Sequence, residues 1–221
     1  MRILRGPDRQ TALQNYRSLA SGYDASCRRI EEARRLAIVH LDVRLGDVVY
    51  DVACGTGATL SLLAAATGSS GLVIGIEQSP EMAELARQRV AGIHTVRIVN
   101  CSVEDLRDVP LADRMLFCYT HDVLQSPGAI EKLVDSARPG CRFAILGARF
   151  LPWAWGFPIN LFVAVRGRRY LSTFRGFRRP LALLSGRARE LQTIRTFHWG
   201  TSYLATGSFA SKELPPSPPI G

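Results

Sequence analysis

The sequence predicts an α/β protein that is built on a mostly parallel β-sheet and ends in an antiparallel hairpin. Five short, apolar, strand-like segments alternate with helical segments along most of the chain. Two further strand-like segments flank a glycine turn near the end, and the length of 221 residues suits a single domain. Apolar strands that alternate with helices are typical of a parallel sheet that helices cover on both faces.

Local patterns of residues predict the individual elements. The parallel strands are expected at residues 47–53, 71–77, 95–100, 114–120 and 141–150. Helices are expected at 8–40 with a break at 21–26, and at 58–67, 79–90 and 127–137. Ser79 and Pro80 favour a helix start there, because serine accepts a hydrogen bond from a first-turn amide and proline fits the first helical position. Residues 191–210 are expected to form the hairpin at the sheet edge.

Composition narrows the class of protein. The formal net charge is +9, and arginine supplies nearly all of the positive charge, since Lys132 and Lys212 are the only lysines. This bias towards arginine favours overall composition as the origin of the net positive charge, over binding to a nucleic-acid partner. The five cysteines contain no C-x-x-C pair, which predicts reduced thiols and no metal site. The chain starts without an apolar leader and has no apolar run of membrane-spanning length, so we expect a cytoplasmic protein, with a peripheral position at the inner membrane as the alternative.

The glycine-rich stretch "VVYDVACGTGATLSLL" (48–63) predicts a ligand site at the end of the first strand. A dinucleotide fingerprint would read G-x-G-x-x-G; Gly55 and Gly57 fit its first two glycines, but Leu60 stands in place of the third. Asp51 would repel a pyrophosphate and suits a cation instead. S-adenosylmethionine (SAM) carries an ammonium and a sulfonium without any phosphate, and Glu77 at the end of the second strand can accept both ribose hydroxyls.

Together, the motifs resemble those of the class I SAM-dependent methyltransferases, in the ubiquinone/menaquinone-methyltransferase-like branch. The similar segments are "YRSLASGYD" (16–24), "DVACGTG" (51–57), "GIEQSPEM" (75–82), "VNCSVEDL" (99–106), "MLFCYTHDVL" (115–124) and "ARPGCRFAILG" (137–147). The resemblance covers residues 10–150 and implies a Rossmann-like fold with a seven-stranded sheet.

The resemblance also implies a set of residues that bind SAM. Asp51 and the loop that follows would line the methionine end of SAM, and Glu77 and its neighbour would hold the ribose. The segment that contains Ser102 would contact the adenine, and Tyr119 and Thr120 would border the sulfonium. Ser102 stands where the family usually has an aspartate for the adenine amino group. The implied residues are Tyr16, Tyr23, Asp51, Ala53, Cys54, Gly55, Thr56, Gly57, Glu77, Gln78, Met82, Ser102, Val103, Tyr119 and Thr120.

Methyl transfer from a sulfonium is an in-line displacement that depends mainly on proximity, alignment and exclusion of water. A general base is needed only when the acceptor arrives protonated. The candidates lie at the end of the fourth strand, where Tyr119 would border the sulfonium and His121 and Asp122 follow. The alternative for His121 and Asp122 is local loop structure, and His198 is interpreted as structural.

The family pattern implies a single domain over residues 1–212, followed by a disordered tail at 213–221. Within it we expect an N-terminal helical lid (1–42), a SAM-binding core (43–150), a variable acceptor-site insertion (151–190) and the hairpin (191–210). The insertion is aromatic and apolar first and then basic, with eight arginines and one glutamate.

Three interpretations of the insertion remain open. In the first, it covers a small, largely apolar metabolite. In the second, residues 151–179 contact an anionic membrane, and the methyl acceptor is a lipid or quinone-like molecule. The third, binding of the basic stretch to nucleic acid, is the least expected. A different class of function, a SAM-binding partner protein without catalysis, also fits the cofactor motifs. The oligomeric state is open, with a dimer as one candidate.

Overall fold

A computed structural model describes residues 6–19 and 30–210 and contains seven strands within those ranges. The strands are β1 (Val48–Val52), β2 (Leu72–Ile76), β3 (Val96–Val99), β4 (Ala112–Cys118), β5 (Ala137–Ala148), β6 (Ala188–Phe197) and β7 (Ser202–Phe209). They form one sheet in the order β3-β2-β1-β4-β5-β7-β6. The first five strands pair in parallel, and β7 runs antiparallel to both β5 and β6. This arrangement confirms the predicted mostly parallel sheet with its terminal antiparallel hairpin.

Helices connect the strands and cover the sheet. They are α1 (Arg9–Leu19), α2 (Glu31–Leu41), α3 (Leu60–Thr67), α4 (Pro80–Arg89), α5 (His121–Leu124), α6 (Pro127–Asp135), α7 (Trp153–Gly167) and α8 (Ala182–Ser185). The predicted start of α4 is confirmed, because the Ser79 side chain accepts a hydrogen bond from the Met82 amide, with Pro80 as the first helical residue. The predicted break at 21–26, the tail at 213–221 and Tyr23 lie outside the described residues.

The two faces of the sheet carry separate apolar cores. Tyr50, Phe117 and Phe143 point to one face, where they pack with residues of α6 and α8. Val49 and Leu116 point to the other face, where they pack with residues of α2 and α3. Successive residues of a strand alternate between faces. Asp51 therefore lies on the same face as Val49, at the end of β1 that adjoins the start of α3.

Three elements differ from the sequence prediction. The fourth strand ends at Cys118, and the short helix α5 begins at His121, where the strand was expected to run to residue 120. The fifth strand begins at Ala137 and not at residue 141 as predicted, and an irregularity opposite β4 takes up the additional residues. The hairpin begins at Ala188, inside the predicted insertion, and the insertion itself contains the unpredicted helices α7 and α8.

Leu63→Ala is expected to lower the free energy of unfolding by about 3 kcal/mol, because it removes buried methyl groups and leaves a cavity. Leu63 on α3 is fully buried against the sheet. The matched control is Leu45→Ala at a site that is 78% exposed, where we expect a change below about 0.5 kcal/mol. Denaturant titration measures both values, and equal losses would contradict the packing of α3 on the sheet.

Candidate functional site

The candidate site lies where β1, β2 and β4 end. Asp51 is near the end of β1, Glu77 follows β2 directly, and Tyr119 follows β4 directly. Because parallel strands end at the same edge of the sheet, the topology brings these three side chains together. Ala53 and Tyr119 both adopt left-handed backbone conformations, with φ of 54° and 58°. Backbone strain of this kind concentrates at functional sites.

The loop between β1 and α3 is held in one conformation by close packing. Gly57 has φ of 78°, and a Cβ there would lie 2.7 Å from the Cδ1 atom of Leu60. A larger residue at this position would therefore displace the start of α3. Arg89 at the end of α4 donates from Nη1 to the Thr56 carbonyl at 2.9 Å and to Thr56 Oγ1 at 3.1 Å. Thr56 thus connects the loop to α4, and Arg89 is a supporting residue that the sequence motifs did not indicate.

Asp51 presents a buried carboxylate to this loop. Its side chain is 1% exposed, and one of its oxygens accepts a hydrogen bond from the Thr59 hydroxyl. Burial raises the pKa of Asp51 to about 6, against the lowering effects of the Thr59 hydrogen bond and of the Arg34 charge. A buried carboxylate with this pKa is stabilised by a cationic ligand, which agrees with the cation that the sequence predicted.

Glu77 supplies a second buried carboxylate. Its oxygens accept hydrogen bonds from the backbone N–H of Gly55 at 2.9 Å and of Ser79 at 2.7 Å. The Asn100 side chain donates to the Glu77 carbonyl at 2.7 Å, which fixes the backbone at the end of β2. Burial raises the pKa of Glu77, and the Asp51 charge contributes in the same direction. Each Glu77 oxygen keeps a second acceptor position, which is what a pair of ribose hydroxyls requires.

Three cavities adjoin one another at this end of the sheet; Glu77 lines the first of them, and Asp51 lines none. The first, of about 50 Å³, is lined by Ala53, Gly55, Glu77, Gln78, Tyr119 and Thr120 together with Tyr16 from α1. The second, of about 360 Å³, shares Ala53 and Gln78 with it and continues past Ser102 and Val103. The third, of about 310 Å³, shares Tyr16, Tyr119 and Thr120 with the first and extends under α7 and β7. The three cavities thus form a continuous path from the predicted adenine side, past Glu77, to a separate apolar space.

Several predicted residues fall outside this path. Thr56 is buried and bonded to Arg89 as described above, Met82 is fully buried in α4, and neither lines any of the three cavities. Cys54 packs beside Gly75, where a Cβ would lie 3.0 Å from its sulfur, and burial raises the thiol pKa well above its usual range. Gly57 shapes the loop without lining a cavity. Their predicted contacts with SAM stay predictions.

Ser102 lines the second cavity but its hydroxyl is already engaged. It donates to the Asp105 carboxylate at 2.8 Å and accepts from the Asp105 amide at 3.3 Å. Asp105 also pairs with Arg9 of α1 at 3.3 Å. Asp105 is therefore the acidic group at this end of the path, and the local bonds of Ser102 limit its reach toward an adenine.

The helix α5 holds the insertion over the site. His121 Nε2 lies 2.9 Å from the Arg175 carbonyl, and its ring meets Phe177 edge-on at 4.6 Å. Asp122 accepts from the Ser172 hydroxyl at 2.6 Å and from the Ser172 amide at 3.1 Å. Burial lowers the pKa of His121 to about 4, so the ring is neutral at pH 7 and donates its Nε2 proton to the carbonyl. The structure thus brings both predicted catalytic residues to the site, where each anchors the insertion; their catalytic roles stay predictions.

Two buried polar atoms at the same place have no hydrogen-bond partner within the described part of the chain. They are Thr120 Oγ1 and the second carboxylate oxygen of Asp122, Oδ1. Unpaired buried polar atoms are costly and rare in proteins. Thr120 borders both the first and the third cavity, and Asp122 borders the first and the second. These two atoms are therefore available to a ligand that occupies the path.

The third cavity contains polar residues that sequence reasoning missed. Ser202, the first residue of β7, lies 3.4 Å from the Tyr119 hydroxyl and 3.3 Å from His198 Nδ1. His198, interpreted from the sequence as structural, lines the cavity with them. The available signal was the hairpin itself, because an antiparallel last strand starts at the edge where the parallel strands end. The register confirms this placement, since Ser202 pairs with Ala148 at the end of β5.

Comparisons with known proteins agree with this geometry. Residues 49–140 match the model of a methyltransferase domain family. The chain is 30% identical over 173 residues to a demethylmenaquinone methyltransferase of Symbiobacterium thermophilum, covering 68% of this chain and 69% of that one. It is 30% identical over 118 residues to a 2-phytyl-1,4-naphtoquinone methyltransferase of Synechococcus elongatus, covering 51% of each chain. The chain thus spans about half to two thirds of these two relatives.

A solved structure shows the same fold. The SAM-dependent O-methyltransferase of Thermotoga maritima superimposes with a TM-score of 0.60 at 18% identity, covering 83% of this chain and 67% of that chain. The fold and the site thus define a Rossmann-like SAM-binding class. The chain belongs to the class I SAM-dependent methyltransferases, as the sequence motifs predicted, and the comparisons favour an enzyme over a non-catalytic SAM-binding protein.

The residues present fit the cofactor that this family implies. Asp51 offers a buried anionic group for the ammonium of SAM, and Glu77 offers two acceptors for its ribose. Thr120 Oγ1 is an unpaired buried atom next to the position expected for the methyl group. No helix among the described residues is both long and apolar enough to cross a membrane.

The affinity for SAM is expected to fall about tenfold for each pH unit below 6, because the Asp51 carboxylate must be ionised to hold the ammonium. Asp51→Asn should weaken SAM binding at least about tenfold at pH 7.5 and flatten this pH dependence. Isothermal titration calorimetry between pH 5 and pH 7.5 measures both effects. Glu84→Gln, at an exposed site on α4, is the control that should leave them unchanged.

The same substitution should stabilise the protein without ligand. Folding raises the pKa of the Asp51 carboxyl from 3.8 to about 6. The free energy of unfolding therefore falls as the pH rises through this range, because the folded state binds the proton more tightly. Asp51→Asn removes this penalty, so its melting temperature at pH 7 should rise while the gain on adding SAM disappears. A variant that melts lower and still gains from SAM would contradict the role of Asp51.

Removing the contacts of α5 should loosen segment 170–177 of the insertion. Asp122→Ala breaks the two hydrogen bonds to Ser172. A hydrogen bond to a charged acceptor contributes about 1.5–3 kcal/mol to stability. We expect about tenfold or more faster hydrogen exchange in this segment and a higher KM for SAM. Glu131→Ala, at an exposed site on α6, is the control. Unchanged exchange together with a lower kcat would contradict the anchoring role and indicate a catalytic one.

Proposed function

We propose that this chain transfers the methyl group of SAM to a hydroxylated, largely apolar ring compound that occupies the third cavity. The observation that carries the proposal is the junction of the cavities. The first cavity is lined by Glu77, the third is a separate space of about 310 Å³, and they share Tyr119 and Thr120. A donor in one and an acceptor in the other would meet at these two residues.

The lining of the third cavity supports the chemistry of this acceptor. Leu124, Val163, Leu171, Phe177 and Ala148 supply apolar surface, and Tyr119, Ser202 and His198 are among the polar residues of the lining. The volume is at the lower end of small-molecule sites, which suits one or two fused rings. Two relatives carry the names of enzymes for demethylmenaquinone and for 2-phytyl-1,4-naphtoquinone, whose reduced rings bear hydroxyl groups. A quinol-type ring is therefore the acceptor that we favour over other small apolar metabolites.

Tyr119, Ser202 and His198 are the residues that we assign to the acceptor. A hydroxylated ring becomes a good nucleophile, at oxygen or at a ring carbon, once its hydroxyl loses a proton. Ser202 Oγ lies between the Tyr119 hydroxyl and His198 Nδ1, so the proton can pass from the acceptor to His198. His198 is exposed on its other side and can return the proton to solvent.

The remaining residues act by positioning. SAM supplies an electrophilic methyl group on a sulfonium. Asp51 would hold the ammonium of the donor and Glu77 its ribose, beside the junction that Tyr119 and Thr120 line. His121 is neutral and bonded to the Arg175 carbonyl, and it holds the insertion over the junction to exclude water.

The test is transfer of radiolabelled methyl from SAM to chemically reduced, short-tailed demethylmenaquinone by the purified protein. Menaquinone, which already carries the methyl group, is the acceptor control. Label in the quinol supports the proposal. Label that enters only a water-soluble acceptor from a cell extract would overturn it.

Tyr119→Phe and Ser202→Ala are expected to lower kcat by about tenfold or more, because each removes a hydroxyl of the proton path. The affinity for SAM should change little in Ser202→Ala, since Ser202 lines only the third cavity. Ser185→Ala, at an exposed site on α8, is the matched control. Initial rates with calorimetric SAM affinities separate the two effects, and an unchanged kcat in both variants would remove this path from the mechanism.

A further inference from the structure

Helix α7 exposes an apolar surface, which we call the outer face of α7. Its six large side chains are between 52% and 62% exposed, and they are Trp153, Trp155, Phe157, Leu161, Phe162 and Val165. A protein rarely leaves a contiguous apolar surface of this kind in water without a partner. The helix has 15 residues, too few to cross a bilayer, so its apolar surface suits a position along an interface.

The orientation of α7 is fixed by its inner side. Asn160 is buried and exchanges two hydrogen bonds with the backbone of Leu151, one at 2.8 Å and one at 2.9 Å. Gly156 lies one turn earlier on the same side, where a Cβ would collide with the Leu151 side chain. A glycine and an asparagine thus face the protein while tryptophans and phenylalanines face away, which is the reverse of an ordinary surface helix.

Positive charge follows this surface along the chain. Residues 151–189 contain eight arginines and no acidic residue. Arg166, Arg168 and Arg169 lie at the carboxyl end of α7 and are exposed. Arg166 also stacks over the Phe162 ring at 5.7 Å. This combination of exposed tryptophan, phenylalanine and arginine is complementary to the headgroup region of an anionic bilayer.

The outer face of α7 is continuous with the third cavity. Phe162 is 62% exposed on this face and also lines the cavity. Arg166 is exposed next to it and lines the cavity as well. The outer face of α7 and the third cavity therefore share the Phe162 side chain.

We propose that the outer face of α7 docks the protein on an anionic phospholipid bilayer, so that the acceptor enters the third cavity directly from the membrane. This inference deepens the proposed function and rests on it for the direction of entry. The docking itself requires neither SAM nor the acceptor. A second copy of this chain is a poorer occupant, because the arginines of two identical surfaces would face each other.

The test is sedimentation of the full chain with vesicles of phosphatidylcholine and phosphatidylglycerol in equal amounts, against vesicles of phosphatidylcholine alone. We expect binding to the anionic vesicles that weakens at high salt. Trp155→Ser and Leu161→Ser should each reduce binding about tenfold or more, because a large side chain no longer inserts. Reversing charge in the double variant Arg168→Glu/Arg169→Glu should reduce it by at least about 25-fold at low salt.

Leu45→Ser is the matched control. Leu45 is 78% exposed and precedes β1, so it lies at the opposite end of the parallel strands and should leave vesicle binding unchanged. Trp155 and Leu161 line none of the three cavities, so both variants should keep full turnover with a detergent-dissolved, short-tailed quinol. Their turnover should fall only when the quinol is embedded in vesicles.

Three results would overturn the docking proposal. The first is that the unmodified chain does not bind vesicles, and the second is that it binds equally with and without phosphatidylglycerol. The third is that the chain forms a dimer that Trp155→Ser dissociates, while adding vesicles has no effect on the dimer. None of these depends on methyl transfer, so the proposed function stands or fails separately in the assay with dissolved acceptor.

Discussion

The buried carboxylate of Asp51 is the constraint on which the site depends. Ionising a group that is 1% exposed costs free energy, which its raised pKa of about 6 expresses. The Thr59 hydroxyl and the Arg34 charge offset only part of this cost. Glu77, which follows β2, adds a second buried carboxylate beside the loop after β1 and accepts a hydrogen bond from its Gly55. The protein without ligand is therefore less stable than it would be with neutral side chains here, and a cationic ligand removes the difference.

The insertion is connected to this site through α5. His121 and Asp122 begin α5, Gln125 directly follows its last residue, and each of the three bonds to the segment after α7. Gln125 donates to the Pro180 carbonyl at 2.9 Å, beside the bonds of His121 and Asp122 described above. A Cβ on Gly176 would collide with the Gln125 side chain, which explains the glycine there. The residues that follow β4 thus also hold in place the segment that lines the third cavity through Leu171 and Phe177.

The sequence predicted the parts of the fold that depend on local patterns. Apolar periodicity located the strands, and the Ser79–Pro80 pair located the start of α4, because both signals act over a few residues. The closeness of Asp51 to Glu77 was predictable, because the carboxyl ends of parallel strands share one edge of the sheet. The positions of Ser202 and His198 beside Tyr119 depend on the register of β7 against β5, a pairing of residues more than 50 positions apart. The predicted hairpin indicates the edge of the sheet at which they lie, but no local signal carries that register.

The conformation of α7 could not be predicted for a related reason. Its residues are apolar on nearly all sides, so periodicity gives no direction for the helix. Asn160 decides the direction, because its two hydrogen bonds to Leu151 require that side to be buried. Once this side is fixed, the tryptophans and phenylalanines must face outward, and Phe162 among them also lines the third cavity. A buried polar residue, at the cost of exposing apolar ones, thereby places the outer face of α7 beside that cavity, which is the arrangement that the docking proposal requires.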